Sequence, residues 1–164
     1  MSKTIVVYGS STGTCEAIAE KIAAKLGAEV LNVQDFNADV VAANDNLVLG
    51  TSTWGAGELQ DDWYDGVSVL KSCNLAGKTI ALFGCGDAES YSDTFVGGMG
   101  ELYDAVKESG AKIVGAVDAS DYTFDDSSAV VDGKFVGLPL DDVNEEEKTD
   151  GRIDAWIAQI SPNF

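Results

Sequence analysis

Short apolar runs, separated by stretches of helical periodicity, set the tightest limit on what this chain can fold into. The runs are TIVVY (4–8), AEVLNV (28–33), NLVLGT (46–51), TIALFG (79–84) and KIVGAV (112–117). Most are continuous rather than alternating, as in parallel strands covered on both faces. Between them the apolar spacing changes. Ile18, Ile22 and Leu26 fall four apart on one stripe, with Ala19 and Ala23 beside them, and Gly27 is placed to close that helix. Further helices are expected from about Asp61 to Lys71 with Trp63, Val67 and Leu70 inward, from about Gly98 to Ser109, and from about Asp150 to Ile160 ahead of Pro162. ADVVAAND allows a short helix between the second and third strands. Strand–helix alternation of this kind predicts an α/β fold, a doubly wound five-stranded parallel sheet with right-handed crossovers.

The 164 residues suit a single domain, 1–164, with no repeat or linker. No apolar run approaches the ~18 residues of a membrane span. The start, MSKTIVVYG, lacks the layout of a signal peptide, so a soluble intracellular protein is expected. A net charge of −18 disfavours nucleic acid and anionic lipid surfaces as partners. It favours basic protein surfaces, although acidity serving solubility alone explains the composition equally well. Cys15, Cys73 and Cys85 show no C-x-x-C spacing and the chain has no histidine, so no zinc centre is expected. Reduced and mostly buried thiols are expected instead. Residues 119–148 break the rhythm with a turn-rich acidic segment and a strand-like piece, KFVGLPL. They read as an insertion around the fifth strand at the sheet edge, either a stabilising flap or a partner-docking element.

The segment GSSTGTCEAIAEKIAAKL (9–26) joins the first strand to a helix start through small and hydroxyl residues. Helix N-terminal amides are unpaired and the dipole is positive there, which suits an anion. Ser10, Ser11, Thr12 and Thr14 add hydroxyls, and Gly13 lets the backbone come close. The loop lacks the lysine of a P-loop and the glycine spacing of a dinucleotide fingerprint. It therefore reads as a phosphate site built of neutral donors, or else as an ordinary serine-rich turn. Two more loops, TSTWGAGELQDDW (51–63) and GCGDAESYSDTF (84–95), end at the same sheet edge. Each carries one aromatic residue, Trp54 or Tyr91, in polar, glycine-containing surroundings. The pair suggests a flat ring held between them, the alternative being two aromatics packed on the domain surface.

With these three segments in order, the chain resembles the flavodoxins, small electron carriers that bind flavin mononucleotide (FMN). The stretch DGKFVGLPLDD within 119–148 is similar to the insertion of the long-chain members. The resemblance implies strand order 2-1-3-4-5, for which flavodoxin is itself the standard illustration, with the insertion around strand 5. By position, Ser10, Ser11, Thr12, Gly13, Thr14 and Cys15 would wrap the phosphate. Ser52 and Thr53 would approach the ribityl chain and ring edge. Trp54 would cover one face of the isoalloxazine and Tyr91 the other. Backbone groups of Cys85, Gly86 and Asp87 would bond the pyrimidine end. The Gly55–Ala56 peptide would turn toward flavin N5, and Gly57 and Asp93 belong to the same two loops. Cys15 stands where the family usually has threonine. A thiol is a weaker donor than a hydroxyl, so somewhat weaker phosphate binding is expected.

No lysine or arginine occurs in the three loops, whereas Glu58, Asp61, Asp62, Asp87, Glu89 and Asp93 surround the site in sequence. Carboxylates near aromatic walls raise the energy of an anionic reduced flavin. The expectation is a low-potential one-electron carrier shuttling between semiquinone and hydroquinone, with no substrate turnover of its own. No catalytic acid, base or nucleophile is evident. A phosphatase reading of Cys15 fails because no arginine follows it, Arg152 being the only one in the chain. An FMN-dependent quinone or nitro reductase is the alternative on the same fold, and a flavin-free docking domain is a further one. Expected partners are basic redox proteins, such as a flavin-containing NADP reductase and a metal-cluster acceptor. The protein is expected as a monomer in the cytoplasm or an equivalent stromal compartment.

Overall fold

A computed structural model of the chain describes residues 3–9, 14–54, 58–59, 63–85, 96–118, 122, 127, 129–141 and 146–164, with only the backbone at 14, 52–54, 58–59 and 146. The central strands are β1 (Thr4–Gly9), β2 (Glu29–Asn32), β3 (Asn46–Trp54) and β5 (Thr79–Cys85). A short strand β4 (Glu58–Leu59) follows β3. The helices are α1 (Thr14–Leu26), α2 (Ala38–Ala43), α3 (Trp63–Ser72), α4 (Gly97–Val106) and α5 (Glu146–Ile160). The main sheet runs β2-β1-β3-β5 with every neighbour parallel, and its fifth position lies beyond β5. This is the doubly wound order 2-1-3-4-5 that the family resemblance implies.

Strand residues alternate between two cores, which is why the apolar runs are continuous. Ile5, Val7, Leu47, Leu49, Ile80 and Leu82 face the core that Trp63, Leu70, Met99 and Leu102 complete from α3 and α4. Val6, Tyr8, Val48, Ala81, Phe83 and Cys85 face the opposite core, with Ile18 and Ile22 of α1 and Ile153, Trp156 and Ile160 of α5. α1 ends at Gly27, whose φ of +67° is the left-handed closure anticipated for it. α5 starts at Glu146, ahead of the expected Asp150. Its first turn is polar, so apolar periodicity is silent there, although acidic residues suit a helix start. Lys21–Asp150 at 3.0 Å and Lys25–Asp154 tie α1 to α5 across the surface.

The fifth strand differs from the expectation. KIVGAV does not run through: β6 (Lys112–Val114) pairs Thr79–Ala81 of β5 and stops. Gly115 turns the chain away at φ +91°, and its carbonyl accepts a hydrogen bond from Trp156 Nε1 at 2.9 Å. KFVGLPL likewise divides. Its first part is β9 (Lys134–Phe135), which joins β7 (Val117–Asp118) and β8 (Val130–Val131) in a separate antiparallel sheet. Its second part is β10 (Leu138–Leu140), which returns to the main sheet and pairs Phe83–Cys85. Pro139 is tolerated because β10 is an edge strand. The insertion thus interrupts the fifth strand itself, with β6 and β10 as its two halves.

Candidate functional site

The register of the main sheet aligns the ends of three strands. Gly9 of β1 pairs with Thr51 of β3, and Thr51 with Gly84 of β5. One step further, Ser52 pairs with Cys85, and Cys85 with Leu140. Gly9, Thr51 and Gly84 therefore stand in one row at one edge of the sheet. β2 and β3 lie on opposite sides of β1, so the direction of winding reverses between β1 and β3. Ligands of open α/β sheets bind beyond the strand ends at such a reversal.

α1 begins at Thr14, immediately after segment 10–13, and its 13 residues make a sustained helix with Glu16 in the first turn. Its leading N–H groups have no partner within the helix and point along the edge that follows Gly9. Cys15 is wholly buried, and its thiol turns into the core against the thiol of Cys85 rather than toward that edge. A hydrogen bond donated to Cys85, together with burial, holds the Cys15 thiol well above its ordinary value of 9.0. Tyr8, one residue before the end of β1, is pushed up by burial and then by the Glu16 carboxylate. Both groups are neutral at physiological pH, so the chain brings no titrating side chain to the base of the site through them.

The second loop is a hairpin rather than a loop from residue 51 onward. β3 continues to Trp54 and pairs antiparallel with β4, with Thr53 opposite Leu59 and Trp54 opposite Glu58. Trp54 therefore ends a paired strand, where the sequence reading placed it on a polar, glycine-containing loop. Gly50, at the base of this strand, packs under Phe83, whose ring would lie 2.0 Å from any Cβ placed there. Its carbonyl accepts from Trp63 Nε1 at 2.7 Å. The third loop ends at Val96, a buried residue at φ +46° that opens α4. Gly84, just before that loop, lies so close to α4 that a Cβ would meet Met99 Cβ at 2.9 Å.

Of the residues expected at the site, Thr14, Cys15, Ser52, Thr53, Trp54 and Cys85 are placed along this edge by their backbones. Ser10, Ser11, Thr12, Gly13, Gly55, Ala56, Gly57, Gly86, Asp87, Tyr91 and Asp93 lie outside the described residues. Sequence reasoning did not single out Thr51, buried in the aligned row, nor the contact between Cys15 and Cys85. The first had only its strand position as a signal. The second joins residues 70 positions apart and had none. Among the described residues, no group of three or more histidine, cysteine or acidic residues could hold a metal ion. No described helix is long and apolar enough to cross a membrane.

The family model for flavodoxin matches residues 6–156. Flavodoxin 1 of Azotobacter vinelandii is 44% identical over 171 residues, covering 100% of this chain and 98% of the relative. A flavodoxin of Nostoc is 41% identical over 168 residues, covering 100% and 99%. A crystal structure of Fusobacterium nucleatum flavodoxin bound to flavin mononucleotide superposes with a TM-score of 0.94 at 30% identity, covering 100% of this chain and 99% of that one. The fold, the aligned strand ends and full-length similarity agree: this chain belongs to the flavodoxin family.

Proposed function

We propose that this chain holds FMN non-covalently at the edge formed by β1, β3 and β5 and passes single electrons between redox proteins. The observation that supports this reading is the alignment of Gly9, Thr51 and Gly84 in one row of the sheet, since the three segments of suitable chemistry follow these residues in the sequence. The F. nucleatum flavodoxin that shares this fold is bound to the same nucleotide, which supports the assignment. The donor set fits a phosphate: main-chain amides at a helix start and the hydroxyls of Ser10, Ser11, Thr12 and Thr14, with Gly13 allowing close approach. Cys15 contributes its N–H alone, because its thiol is committed to the core.

Bound FMN supplies a ring that takes up and releases electrons one at a time. The chain's own residues set the conditions for that exchange. Trp54 and Tyr91 would cover the two ring faces and keep water away. Ser52 and Thr53 position the ribityl chain, and Cys85, Gly86 and Asp87 meet the pyrimidine end through their backbones. Gly55, Ala56 and Gly57 would let a peptide group beside the ring reorient, and Asp93 belongs to the third of the segments read as binding the nucleotide. The acidic residues Glu58, Asp61, Asp62, Asp87, Glu89 and Asp93 penalise added negative charge on the ring and so favour onward transfer. Full-length similarity to flavodoxins supports a carrier over a reductase enzyme.

Charge geography supports basic partners. Lys3, Lys78 and Lys112 stand at the starts of β1, β5 and β6, and Lys25, Lys71 and Lys107 at the ends of α1, α3 and α4. All six lie at the sheet edge opposite the proposed site. The site edge carries the acidic loops, so a basic reductase or a basic metal-cluster protein is steered to the ring. The protein acts as a monomer in the cytoplasm or stroma. The test is to add FMN to the apoprotein and then titrate with a reductant under inert gas. Equimolar uptake with quenching of flavin fluorescence is expected, with the lower one-electron couple well below that of free flavin. No uptake, or a couple equal to that of free flavin, overturns the reading.

A further inference from the structure

A cavity of about 380 Å³ lies between α4, β6 and the three-stranded insertion sheet, on the side of the main sheet that α3 and α4 cover. Its size falls within the ~300–1,000 Å³ of small-molecule sites. Tyr103 of α4, Ile113 of β6, Val131 of β8 and Phe135 of β9 line it, and Asp132 and Lys134 join them. Both charged residues are exposed, so they stand at the mouth, whereas Phe135 is fully buried. Val131 is 43% exposed, one of three large apolar residues left exposed among those described.

The fold fixes the walls of this cleft. Asp132 and Gly133 take φ +54° and +81°, the two left-handed residues that a tight hairpin turn requires. Val131 pairs with Lys134 directly across the hairpin, which puts an apolar and a cationic side chain on one face. Phe135 meets Tyr122 edge-on at 5.2 Å, and the Val136 N–H donates to the Ala129 carbonyl at 2.9 Å. Just beyond, Gly137 leaves no room for a side chain: a Cβ there would lie 2.0 Å from the Leu82 carbonyl oxygen of β5. The insertion sheet is thereby clamped to the main sheet, and a ligand has little left to order.

We propose that this cleft binds a small zwitterion with an apolar body, of which an α-amino acid with a large apolar side chain is the simplest member. Charge selects the class. Asp132 and Lys134 stand on either side of Gly133, and neither forms an ion pair among the described residues. A ligand bearing only a carboxylate meets Lys134, but it also meets Asp132 and the field of a chain of net charge −18. A ligand bearing only an ammonium is drawn by that field to the whole surface and is opposed by Lys134 at the mouth. A net-neutral ligand with both groups satisfies the two side chains at once. Its carboxylate pairs with Lys134, its ammonium with Asp132, and its apolar body packs on Ile113, Val131 and Phe135. This site is separate from the nucleotide edge and does not depend on it. Because it bridges α4 and β6 to the insertion, its occupant braces the insertion sheet.

The test titrates L-phenylalanine into the full 15N-labelled chain, with FMN added, and follows amide shifts. Saturable shifts confined to residues 103, 113 and 131–136 are expected, with a dissociation constant on the order of millimolar for a ligand of this size. 3-Phenylpropionate and phenethylamine each lack one charged group, and each is expected to bind about three- to fivefold more weakly, the worth of one exposed ion pair. Lys134→Met and Asp132→Asn should each weaken phenylalanine by the same factor, and asparagine keeps the left-handed turn. Amide exchange in β8 and β9 should slow on saturation. Absence of saturable shifts, or shifts spread over the whole surface, overturns the site. Equal binding of all three ligands, unaffected by either substitution, overturns the zwitterion class. Shifts at these residues that grow with protein concentration, with no ligand added, place a second copy in the cleft and overturn the proposal as well.

Discussion

Gly50 shows how a single missing side chain sets the shape of the site's base. It sits mid-strand in β3, where glycine normally weakens a sheet. Here the Phe83 ring occupies the space a Cβ would take, at 2.0 Å, while Trp63 Nε1 bonds its carbonyl at 2.7 Å from the other core. Gly50→Ala must displace Phe83, and a loss of about 1–3 kcal/mol is expected in urea unfolding. Trp63→Phe keeps most of the buried area but removes the hydrogen bond, with an expected cost of about 1–3 kcal/mol in the same assay. Neither role was legible in NLVLGT, because the run looks equally apolar whichever partner presses on its glycine. The pair Cys15 and Tyr8 also governs pH dependence. Both are raised above their ordinary values of 9.0 and 10.0, so the folded state binds these protons more tightly than the unfolded chain. Their contribution is complete below about pH 9 and is lost as pH rises through the folded values, since the folded state then holds more protons than the unfolded. Unfolding free energy should therefore fall as pH rises above about 9, and Cys15→Ser should flatten the first part of that fall. A flat profile in the unsubstituted chain contradicts the assignment.

At the level of elements, the interrupted fifth strand is held by a compact set of contacts. Tyr122 donates to the Pro139 carbonyl at 2.7 Å, stacks edge-on against Phe135 at 5.2 Å, and lies under the Arg152 guanidinium at 4.0 Å. One ring therefore links the insertion, β10 and α5. Tyr122→Ala is expected to speed amide exchange in β8 and β9 by tenfold or more, about 1.4 kcal/mol of local protection, while β1 and β3 keep theirs. Exchange that rises equally in every strand would mean that the insertion and the main sheet open as one unit. The helices and the first four strands were readable because each declares its period in its own residues. The break in strand five was not, because KIVGAV is continuous in composition. What ends β6 is Gly115 at φ +91° beneath Trp156, a contact across 41 positions. Val96 is another instance. A β-branched residue gives no sign of a left-handed turn, yet it adopts φ +46° where the third loop meets α4. The three polar segments read as the site, by contrast, follow in sequence three strands that the register aligns at Gly9, Thr51 and Gly84.

For the whole molecule, the arrangement of charge matters more than its total of −18. Six lysines stand at the edge where strands begin, and the acidic residues Asp61, Asp62, Asp87, Glu89 and Asp93 follow strand ends in the sequence, so the proposed site would give the protein's field a direction as well as a sign. That field should orient a basic partner before contact and make electron transfer fall with ionic strength. Two substitutions at each edge separate direction from total. Asp61→Asn with Asp62→Asn removes two negative charges ahead of α3 at the site edge. Glu29→Gln with Glu108→Gln removes two from the opposite edge, at the start of β2 and beyond the end of α4. Both double variants reach the same net charge of −16, the −18 of the parent chain less two. If orientation governs association, stopped-flow transfer to a basic reductase at low salt should slow several-fold in the site-edge variant. It should change little in the opposite-edge variant, and the two should converge at high salt as the field is screened. Equal slowing in both would mean that only total charge counts, and the partner would then approach without regard to which edge holds the flavin.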